Sequence, residues 1–189
     1  MSELTFYKRR RGFSKKIIKE IFIWLLGIII SAGLGIGVVM GFAIRTHQIG
    51  DSMSPTIKNG ETVLLNKVAY ILGSPARGDI IVYLPNGNTN GHTYIRRVIG
   101  IPGDKVIIKN GSVYVNDNLL DDDFSNIQIE DAGIADEEIT VGKDEYFVLG
   151  DNRNSGEDSR YVSNGNIKKK FIIGKAWFLA NPFSHFGFL

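Results

Sequence analysis

The sequence predicts a mainly β protein, in which a mostly antiparallel β domain follows a single N-terminal transmembrane helix. Three observations support this fold class: a long uncharged apolar run near the N-terminus, a series of short β-rich runs after it, and turn residues that separate those runs. We therefore divide the chain into a cytoplasmic basic arm (1–20), a transmembrane helix (21–44) and an extracytoplasmic β domain (45–189).

The apolar run from Ile21 to Ile44 contains 24 residues and no charged side chain. As an α-helix it would rise about 36 Å, which is enough to cross a hydrocarbon layer of about 30 Å. Basic residues precede it at Lys8, Arg9, Arg10, Arg11, Lys15, Lys16 and Lys19, whereas Arg45 alone follows closely. The positive-inside rule therefore predicts a single-pass protein of the cell membrane with a cytoplasmic N-terminus. A cleaved secretory signal is the alternative, but the run is longer than an ordinary signal h-region and no A-x-A-like site follows it.

The balance of charge changes at the end of this run. Residues 1–45 contain eight Lys/Arg and two acids, and residues 46–189 contain fourteen Lys/Arg and eighteen acids. A mildly acidic C-terminal domain argues against nucleic acid as a partner, whereas the basic arm suits anionic membrane lipid. The absence of cysteine excludes disulfides, thiol nucleophiles and thiolate metal sites. We expect no metal and no organic cofactor.

Seven runs after the apolar segment have strand character: 62–65, 79–84, 94–99, 105–108, 112–115, 145–149 and 175–179. The clearest hairpin is at 109–112, because Asn110-Gly111 suits the positive φ angles of a type I′ turn. The acid-rich stretch from Asp121 to Glu138 contains few large apolar residues. It predicts an exposed excursion whose charge favours solvation over metal binding.

A turn-rich segment, Gly50-Asp51-Ser52-Met53-Ser54-Pro55-Thr56, follows the apolar run closely. Gly50 allows close backbone approach and Pro55 fixes φ, so a serine on this turn can present both its hydroxyl and its backbone N–H. Nucleophilic attack and oxyanion stabilisation need those two groups. The same pattern is common in ordinary turns, and Met53 is as consistent with core packing as with a substrate or membrane contact.

Two further segments concentrate charged residues. The first begins with Tyr94-Ile95-Arg96-Arg97, on a strand where Tyr94, Arg96 and Val98 share one face. The second runs from Gly150 to Arg160, and we expect its Asp151 and Asp158 to pair with Arg153 or Arg160 and make the loop rigid. Surface arginines and an ion-paired loop are the ordinary structural interpretations of these two segments.

In this order, behind one N-terminal anchor, the three segments resemble the motifs of the type I signal peptidases, particularly the single-anchor forms of Gram-positive bacteria. Arg77-Gly78-Asp79-Ile80-Ile81-Val82 resembles a further motif of that family. The resemblance implies a serine endopeptidase that cleaves the signal peptides of exported preproteins, and a β domain of signal-peptidase type. It implies that Ser52 is the nucleophile and supplies an oxyanion N–H, and that Arg96 occupies the general-base position. The implied substrate-binding or supporting residues are Gly50, Asp51, Met53, Pro55, Ile80, Val82, Tyr94, Arg97, Asp151, Arg153, Gly156, Asp158, Ser159 and Arg160. We expect the substrate to lie as a strand beside residues 79–84.

The chain departs from the family pattern at two positions. The family has a lysine base where this chain has Arg96, and a guanidinium stays protonated in proteins and has no lone pair to accept a proton from Ser52. Gly156 replaces the serine that hydrogen-bonds that lysine in the family. His92 is a poor substitute base on the expectation that it lies about 13 Å along the same strand.

Three hypotheses follow from these residues. The first is a working membrane-bound serine endopeptidase with an unidentified base. The second is a non-catalytic relative that binds a signal peptide or another extended segment; it resembles the accessory factors of pilus assembly, which makes a pilin or a sortase the natural partner. The third is a self-cleaving domain of phage-repressor type, against which the anchor and the lack of a DNA-binding segment both argue.

Overall fold

The long helix α1 runs from Lys15 to Phe42 in the computed structural model, which describes residues 15–42, 44–71, 73–121 and 127–189. Its Lys15–Val39 portion is long and apolar enough to cross a membrane. The helix begins before the predicted segment 21–44, and Ile44 already belongs to the first strand. Lysine is a good helix former, so the basic residues before Ile21 continue the helix. Residues Lys8 to Arg11 of the predicted cytoplasmic arm lie outside the described residues.

Twelve strands follow within the described ranges. They are β1 (Ile44–His47), β2 (Thr62–Asn66), β3 (Ile80–Tyr83), β4 (Tyr94–Gly100), β5 (Lys105–Lys109), β6 (Ser112–Val115), β7 (Asn118–Leu119), β8 (Ile139–Thr140), β9 (Glu145–Leu149), β10 (Ile167–Lys168), β11 (Ile172–Asn181) and β12 (Gly187–Phe188). Each of the seven predicted runs overlaps one of these strands. The predicted hairpin is also confirmed, since Lys109 pairs with Ser112 and both Asn110 and Gly111 have positive φ.

Two antiparallel sheets contain all of these strands. The larger sheet has the order β1-β2-β11-β3-β4-β9-β10, with β12 added to β11, and the smaller sheet has the order β7-β6-β5-β8. The mainly antiparallel β fold behind an apolar N-terminal helix is therefore confirmed.

The centre of the larger sheet is buried on both faces. Ile80 and Val82 of β3 pack in one apolar cluster, whereas Ile81 and Tyr83 pack in another on the opposite face. Successive side chains of a strand point to opposite faces, so an unbroken apolar strand such as β3 is suited to this position. β4 crosses the same region, and its Arg96 and Arg97 are buried there beside apolar neighbours.

The prediction that a substrate strand pairs with residues 79–84 is wrong, because β3 has no free edge. β3 pairs with β4 along one edge and with β11 along the other. Both rows of backbone hydrogen-bonding groups are therefore engaged within the protein. An extended ligand needs another place on the surface.

The acid-rich stretch is less exposed than expected. Ile129 and Ala135 are buried against the smaller sheet, in a cluster with Val106, Ile108 and Val113. The apolar residues between the acids thus attach the segment to the core, although its carboxylates remain largely exposed. Residues 122–126 of this prediction lie outside the described residues.

Gly174 allows β11 to cross close to the end of β2. A Cβ on Gly174 would lie 2.7 Å from the carbonyl oxygen of Asn66 and 3.2 Å from the Cα of Lys67. These are backbone atoms that cannot rotate away. We expect Gly174→Ala to lower the free energy of unfolding by about 1–3 kcal/mol, as overpacking typically does.

Chemical denaturation of the full chain in detergent measures this effect. Gly187→Ala is the matched control, because a Cβ at Gly187 in β12 meets no atom within 4 Å. Its expected change is within about 0.5 kcal/mol. Equal stability of the two variants would contradict the close approach of β11 to β2.

Candidate active site

Ser52 lies on a turn that follows β1. The backbone of Gln48 continues the pairing of β1 with β2, through hydrogen bonds with Glu61 and Gly60. The chain then turns, and the carbonyl oxygen of Ser52 accepts a hydrogen bond of 3.0 Å from the backbone N–H of Asn152. This contact joins the serine turn to the loop after β9. Ser52 itself is 3% exposed.

Arg96 reaches Ser52 from the middle of β4. Its Nη1 donates to Ser52 Oγ at 2.8 Å and to the carbonyl oxygen of Ile95 at 2.6 Å. Its Nε and Nη2 donate to the carbonyl oxygen of Glu157, at 3.0 and 2.6 Å. The guanidinium is thus fixed in position by backbone carbonyls, and it contacts the serine directly.

A second donor reaches the same oxygen. Gln48 Nε2 lies 3.1 Å from Ser52 Oγ, and it also donates to the carbonyl oxygens of Ile49 and Gly50. Those two carbonyls accept only, which identifies this atom as the amide nitrogen. Gln48 Nε2 has two N–H groups for these three acceptors, so one N–H is shared. The two nitrogen atoms nearest to Ser52 Oγ, Arg96 Nη1 and Gln48 Nε2, are both donors, and they face its lone pairs.

Arg96 is a buried cation without an acidic partner. Its exposed fraction is 5%, and none of the ion pairs among the described residues includes it. Its charge acts on a buried neighbour: burial raises the pKa of Tyr83, and the positive charge of Arg96 opposes that rise. Arg96 also lies over the Tyr94 ring, 5.3 Å from the centroid.

Gly156 faces both Ser52 and Arg96. It has a φ of +84°, and a Cβ there would lie 2.7 Å from Ser52 Cβ and 3.0 Å from Arg96 Nη2. A side chain at this position would therefore compete with the arginine for space. The backbone conformation is itself one that disfavours residues other than glycine.

Two buried ion pairs hold the loop that contains Gly156. Asp151 pairs with Arg97 through two hydrogen bonds, of 2.8 and 2.6 Å. Asp158 pairs with Arg160, again through both carboxylate oxygens, at 2.9 Å each. The predicted pair of Asp158 and Arg160 is confirmed, but the prediction for Asp151 is wrong, because its partner is Arg97 of β4. The pair of Asp151 and Arg97 attaches the loop to β4, the strand that contains Arg96.

The remaining predicted residues lie at several positions around the cleft and in the core. Ser159 Oγ accepts the backbone N–H of Val148 at 2.9 Å, and Arg153 Nε donates to the carbonyl oxygen of Gly150 at 3.0 Å. Met53, Ile80 and Val82 share one buried apolar cluster, which places Met53 in the core. Pro55 is exposed and lines a neighbouring cavity rather than the cleft at Ser52.

A cleft of about 270 Å³ opens at Ser52. One wall consists of residues 48–52, another of residues 92–96, and the third of residues 155–157. The two longer walls come together where Thr46 Oγ1 and Thr93 Oγ1 lie 3.1 Å apart. A larger cavity of about 710 Å³ shares no residue with this cleft. Among the residues that the structure describes, no group of three or more His, Asp or Glu side chains is arranged to hold a metal ion.

Gln48 and His92 are the cleft residues that the sequence did not identify correctly. Gln48 belongs to no recognised motif. Its role follows from the path of the turn, which brings the carbonyl oxygens of Ile49 and Gly50 and the Ser52 hydroxyl to its side-chain amide. His92 was placed along the strand, but β4 begins at Tyr94, and His92 lies in the preceding loop, in the wall of the cleft. The assignment of His92 to the strand is therefore wrong, whereas its distance from Ser52 stays a prediction. In the described part of the chain, His92 nevertheless forms no hydrogen bond with Ser52.

Comparison with known proteins identifies the family. The model of the signal peptidase family, peptidase S26, matches residues 18–180. Signal peptidase IB of Staphylococcus aureus (strain COL) is 36% identical over 184 residues, covering 89% of this chain and 93% of that protein. Signal peptidase I P of Bacillus subtilis subsp. natto is 34% identical over 164 residues, covering 80% and 84%. A crystal structure of a signal peptidase I from Enterococcus faecalis V583 is 30% identical, covers 55% of this chain and 97% of that chain, and has a TM-score of 0.44. The chain therefore belongs to the type I signal peptidase family.

Proposed function

We propose that this protein binds the signal-peptide region of exported preproteins at the Ser52 cleft and does not cleave it. Family membership supports the substrate class. The hydrogen-bonding partners of Ser52 Oγ support the absence of cleavage. A serine nucleophile must give its proton to a base, whereas the neighbours of Ser52 Oγ, Arg96 Nη1 and Gln48 Nε2, are both donors.

The hydrogen bond from Arg96 to Ser52 is the observation that carries this proposal. A neutral lysine can accept a proton, because burial lowers its pKa, but an arginine guanidinium stays charged. The carbonyl oxygens of Ile95 and Glu157 hold Arg96 in the base position, so the space for another base is filled. Within the described ranges, no proton acceptor forms a hydrogen bond with the Ser52 hydroxyl.

A serine endopeptidase with a substitute base is the second candidate. It is favoured by the position of His92 in the wall of the same cleft. Histidine is the commonest general base in proteins, and a catalytic contact can tighten when substrate binds. In this candidate His92 removes the proton of Ser52, and the backbone N–H of Ser52 stabilises the oxyanion.

The proposed function includes a membrane-anchored topology, in which the basic arm is cytoplasmic, the membrane-spanning segment lies within α1 (Lys15–Phe42) and the β domain that begins at Ile44 is extracytoplasmic. Aromatic residues of the β domain lie next to the end of the helix and support lipid contact. Trp177 Nε1 donates to the carbonyl oxygen of Phe42, and the Trp177 ring packs on Phe178 and Phe188. Phe188 is 81% exposed, as expected for a ring that meets the interface between lipid and water.

A pilin or a sortase is the more specific partner that we propose to test for the non-catalytic form. The resemblance to accessory factors of pilus assembly supports this choice. Such a factor would hold an exported subunit near the membrane without cutting it.

Cleavage of a signal-peptide-bearing preprotein in liposomes tests the function. We expect the cleavage rate of the native chain to equal the background rate of Ser52→Ala, because no acceptor among the described residues takes the Ser52 proton. We expect Arg96→Lys to cleave faster than the native chain, since a positioned general base contributes roughly 10²–10⁴-fold. Gel or mass analysis of the released fragment measures both rates.

Cleavage by the native chain that disappears in Ser52→Ala would overturn the non-catalytic proposal. Loss of the same cleavage in His92→Gln would then support the second candidate. Asn90→Gln is a suitable control, because it changes an exposed side chain in the same loop, outside the cleft walls.

The contact of Gly156 with its neighbours predicts a second result. We expect Gly156→Ser to lower the melting temperature both in the native background and together with Arg96→Lys. The added Cβ meets Ser52 Cβ at 2.7 Å, and shortening Arg96 does not relieve that contact. Strain at a position of positive φ costs about 1–3 kcal/mol. A lysine at position 96 together with a serine at position 156, the combination typical of the family, therefore requires the loop around Gly156 to shift away from Ser52.

Thermal unfolding followed by circular dichroism measures this change. Gly165→Ser is the control, because Gly165 also has positive φ but a Cβ there meets no atom within 4 Å. The decrease in melting temperature of Gly165→Ser should be smaller, because it reflects only the strain of a non-glycine residue at positive φ. A Gly156→Ser variant as stable as Gly165→Ser would contradict the tight packing of Gly156 against Ser52.

A further inference from the structure

Ser52 presents a hydrogen-bond donor to the cleft. A hydroxyl has two lone pairs and one proton, and Arg96 and Gln48 use the lone pairs. The proton is left to donate, and in the described residues Ser52 Oγ has no protein acceptor. The backbone N–H of Ser52 also forms no hydrogen bond within those residues. Both groups belong to the wall of the cleft, so they offer two donors to a ligand.

The charge behind these donors is uncompensated. Arg96 is only 5% exposed, and its contacts among the described residues are with carbonyl oxygens, the Ser52 hydroxyl and an aromatic ring. The neighbouring buried arginines differ, because Arg97 pairs with Asp151 and Arg160 pairs with Asp158. A buried cation without an anion is costly, and the cleft is the side from which an anion can approach.

Two acidic residues also line the cleft, and they do not neutralise Arg96. Asp51 and Glu157 are both exposed, and neither forms an ion pair with Arg96. Glu157 contacts the guanidinium through its backbone carbonyl oxygen. The charges of these exposed carboxylates are screened by water and salt, whereas the charge of Arg96 is not. They lower the affinity for an anion to a limited extent.

We propose that the Ser52 cleft binds the free C-terminal carboxylate of a peptide, such as the end that peptide-bond hydrolysis leaves on a cleaved signal peptide. This inference rests on the proposed peptide-binding function and names its ligand. A carboxylate accepts hydrogen bonds and carries the charge that Arg96 lacks, and donors next to a cation are the arrangement that binds it strongly. The oxygens would accept from the Ser52 hydroxyl and the Ser52 N–H.

The size and walls of the cleft favour a chain end over a large ligand. Its volume of about 270 Å³ is small, and its two longer walls are short: residues 48–52, which lead into the serine turn, and residues 92–96, of which 94–96 belong to β4. A short peptide end with small side chains can lie between them. An intact hydrolase of the same class would supply such an end by cleaving a preprotein, so this protein would act on the product of that reaction.

Fluorescence anisotropy with the full chain in detergent tests the proposal. The probe is a fluorescein-labelled soluble peptide that ends in Ala-Gln-Ala, prepared with a free carboxylate and with a carboxamide. We expect the carboxylate form to bind about tenfold more tightly or better, which corresponds to one unit in log Kd. We expect Arg96→Gln to reduce this ratio to about one. Glu157→Gln should strengthen binding of the carboxylate form modestly.

Arg45→Gln is the matched control, because it removes the same charge from an exposed position on β1, outside the cleft walls. Its ratio should equal that of the native chain. If Arg96→Gln does not fold, Ser52→Ala provides the test, since it deletes the hydroxyl donor and must lower the ratio. An unchanged ratio in Ser52→Ala would overturn the proposal.

Three other outcomes also overturn it. Equal affinity for carboxylate and carboxamide would leave peptide binding intact and remove the carboxylate preference. Equal affinity for a carboxamide peptide with an internal aspartate would assign the site to acidic side chains. Binding of neither peptide would exclude the ligand class. Mass analysis of the same native sample with an intact preprotein tests the proposed function separately, because cleavage that depends on Ser52 overturns that function alone.

Discussion

The hydrogen bond from Arg96 to Ser52 decides what this site can do. It joins a central strand of the larger sheet to the turn after β1, and it directs a permanent donor at the oxygen that would attack a substrate. Gln48 adds a second donor at the same oxygen. The rest of the site is organised around this contact: Gly156 leaves room for the guanidinium, and Ile95 and Glu157 hold it with their carbonyl oxygens. Among the residues that the structure describes, Ser52 Oγ consequently has donors at its lone pairs and no acceptor for its proton.

Two buried ion pairs fix the loop that lies next to this contact. Asp151 and Arg97 form a bidentate buried pair that attaches the loop after β9 to β4, and Asp158 with Arg160 fixes the far end of the same loop. Removing one partner of such a pair typically costs about 3–5 kcal/mol, because the other charge is left buried. The two pairs therefore hold the loop that contains Gly156 in one position beside Ser52 and Arg96.

Much of this architecture could be predicted from the sequence. The apolar run, the seven β-rich runs and the Asn110-Gly111 turn carry local signals, and the order of the motifs identified the family. Long-range geometry was harder. The unbroken apolar run of β3 does not show that both of its edges are paired, so the predicted position of the substrate strand is wrong. The partner of Asp151 lies 54 positions away at Arg97, and proximity in sequence had favoured Arg153 or Arg160. Gln48 and His92 enter the cleft through the path of loops, which no local pattern encodes.

Both proposals require that the Ser52 hydroxyl is not a nucleophile in the native chain. Intact-mass analysis after exposure to an acylating β-lactam tests this directly, since an activated serine is converted to a stable ester that adds the mass of the reagent. We expect no adduct on Ser52 of the native chain under conditions where an active signal peptidase of the same family is fully labelled. An adduct on the native chain that is absent from Ser52→Ala would contradict it.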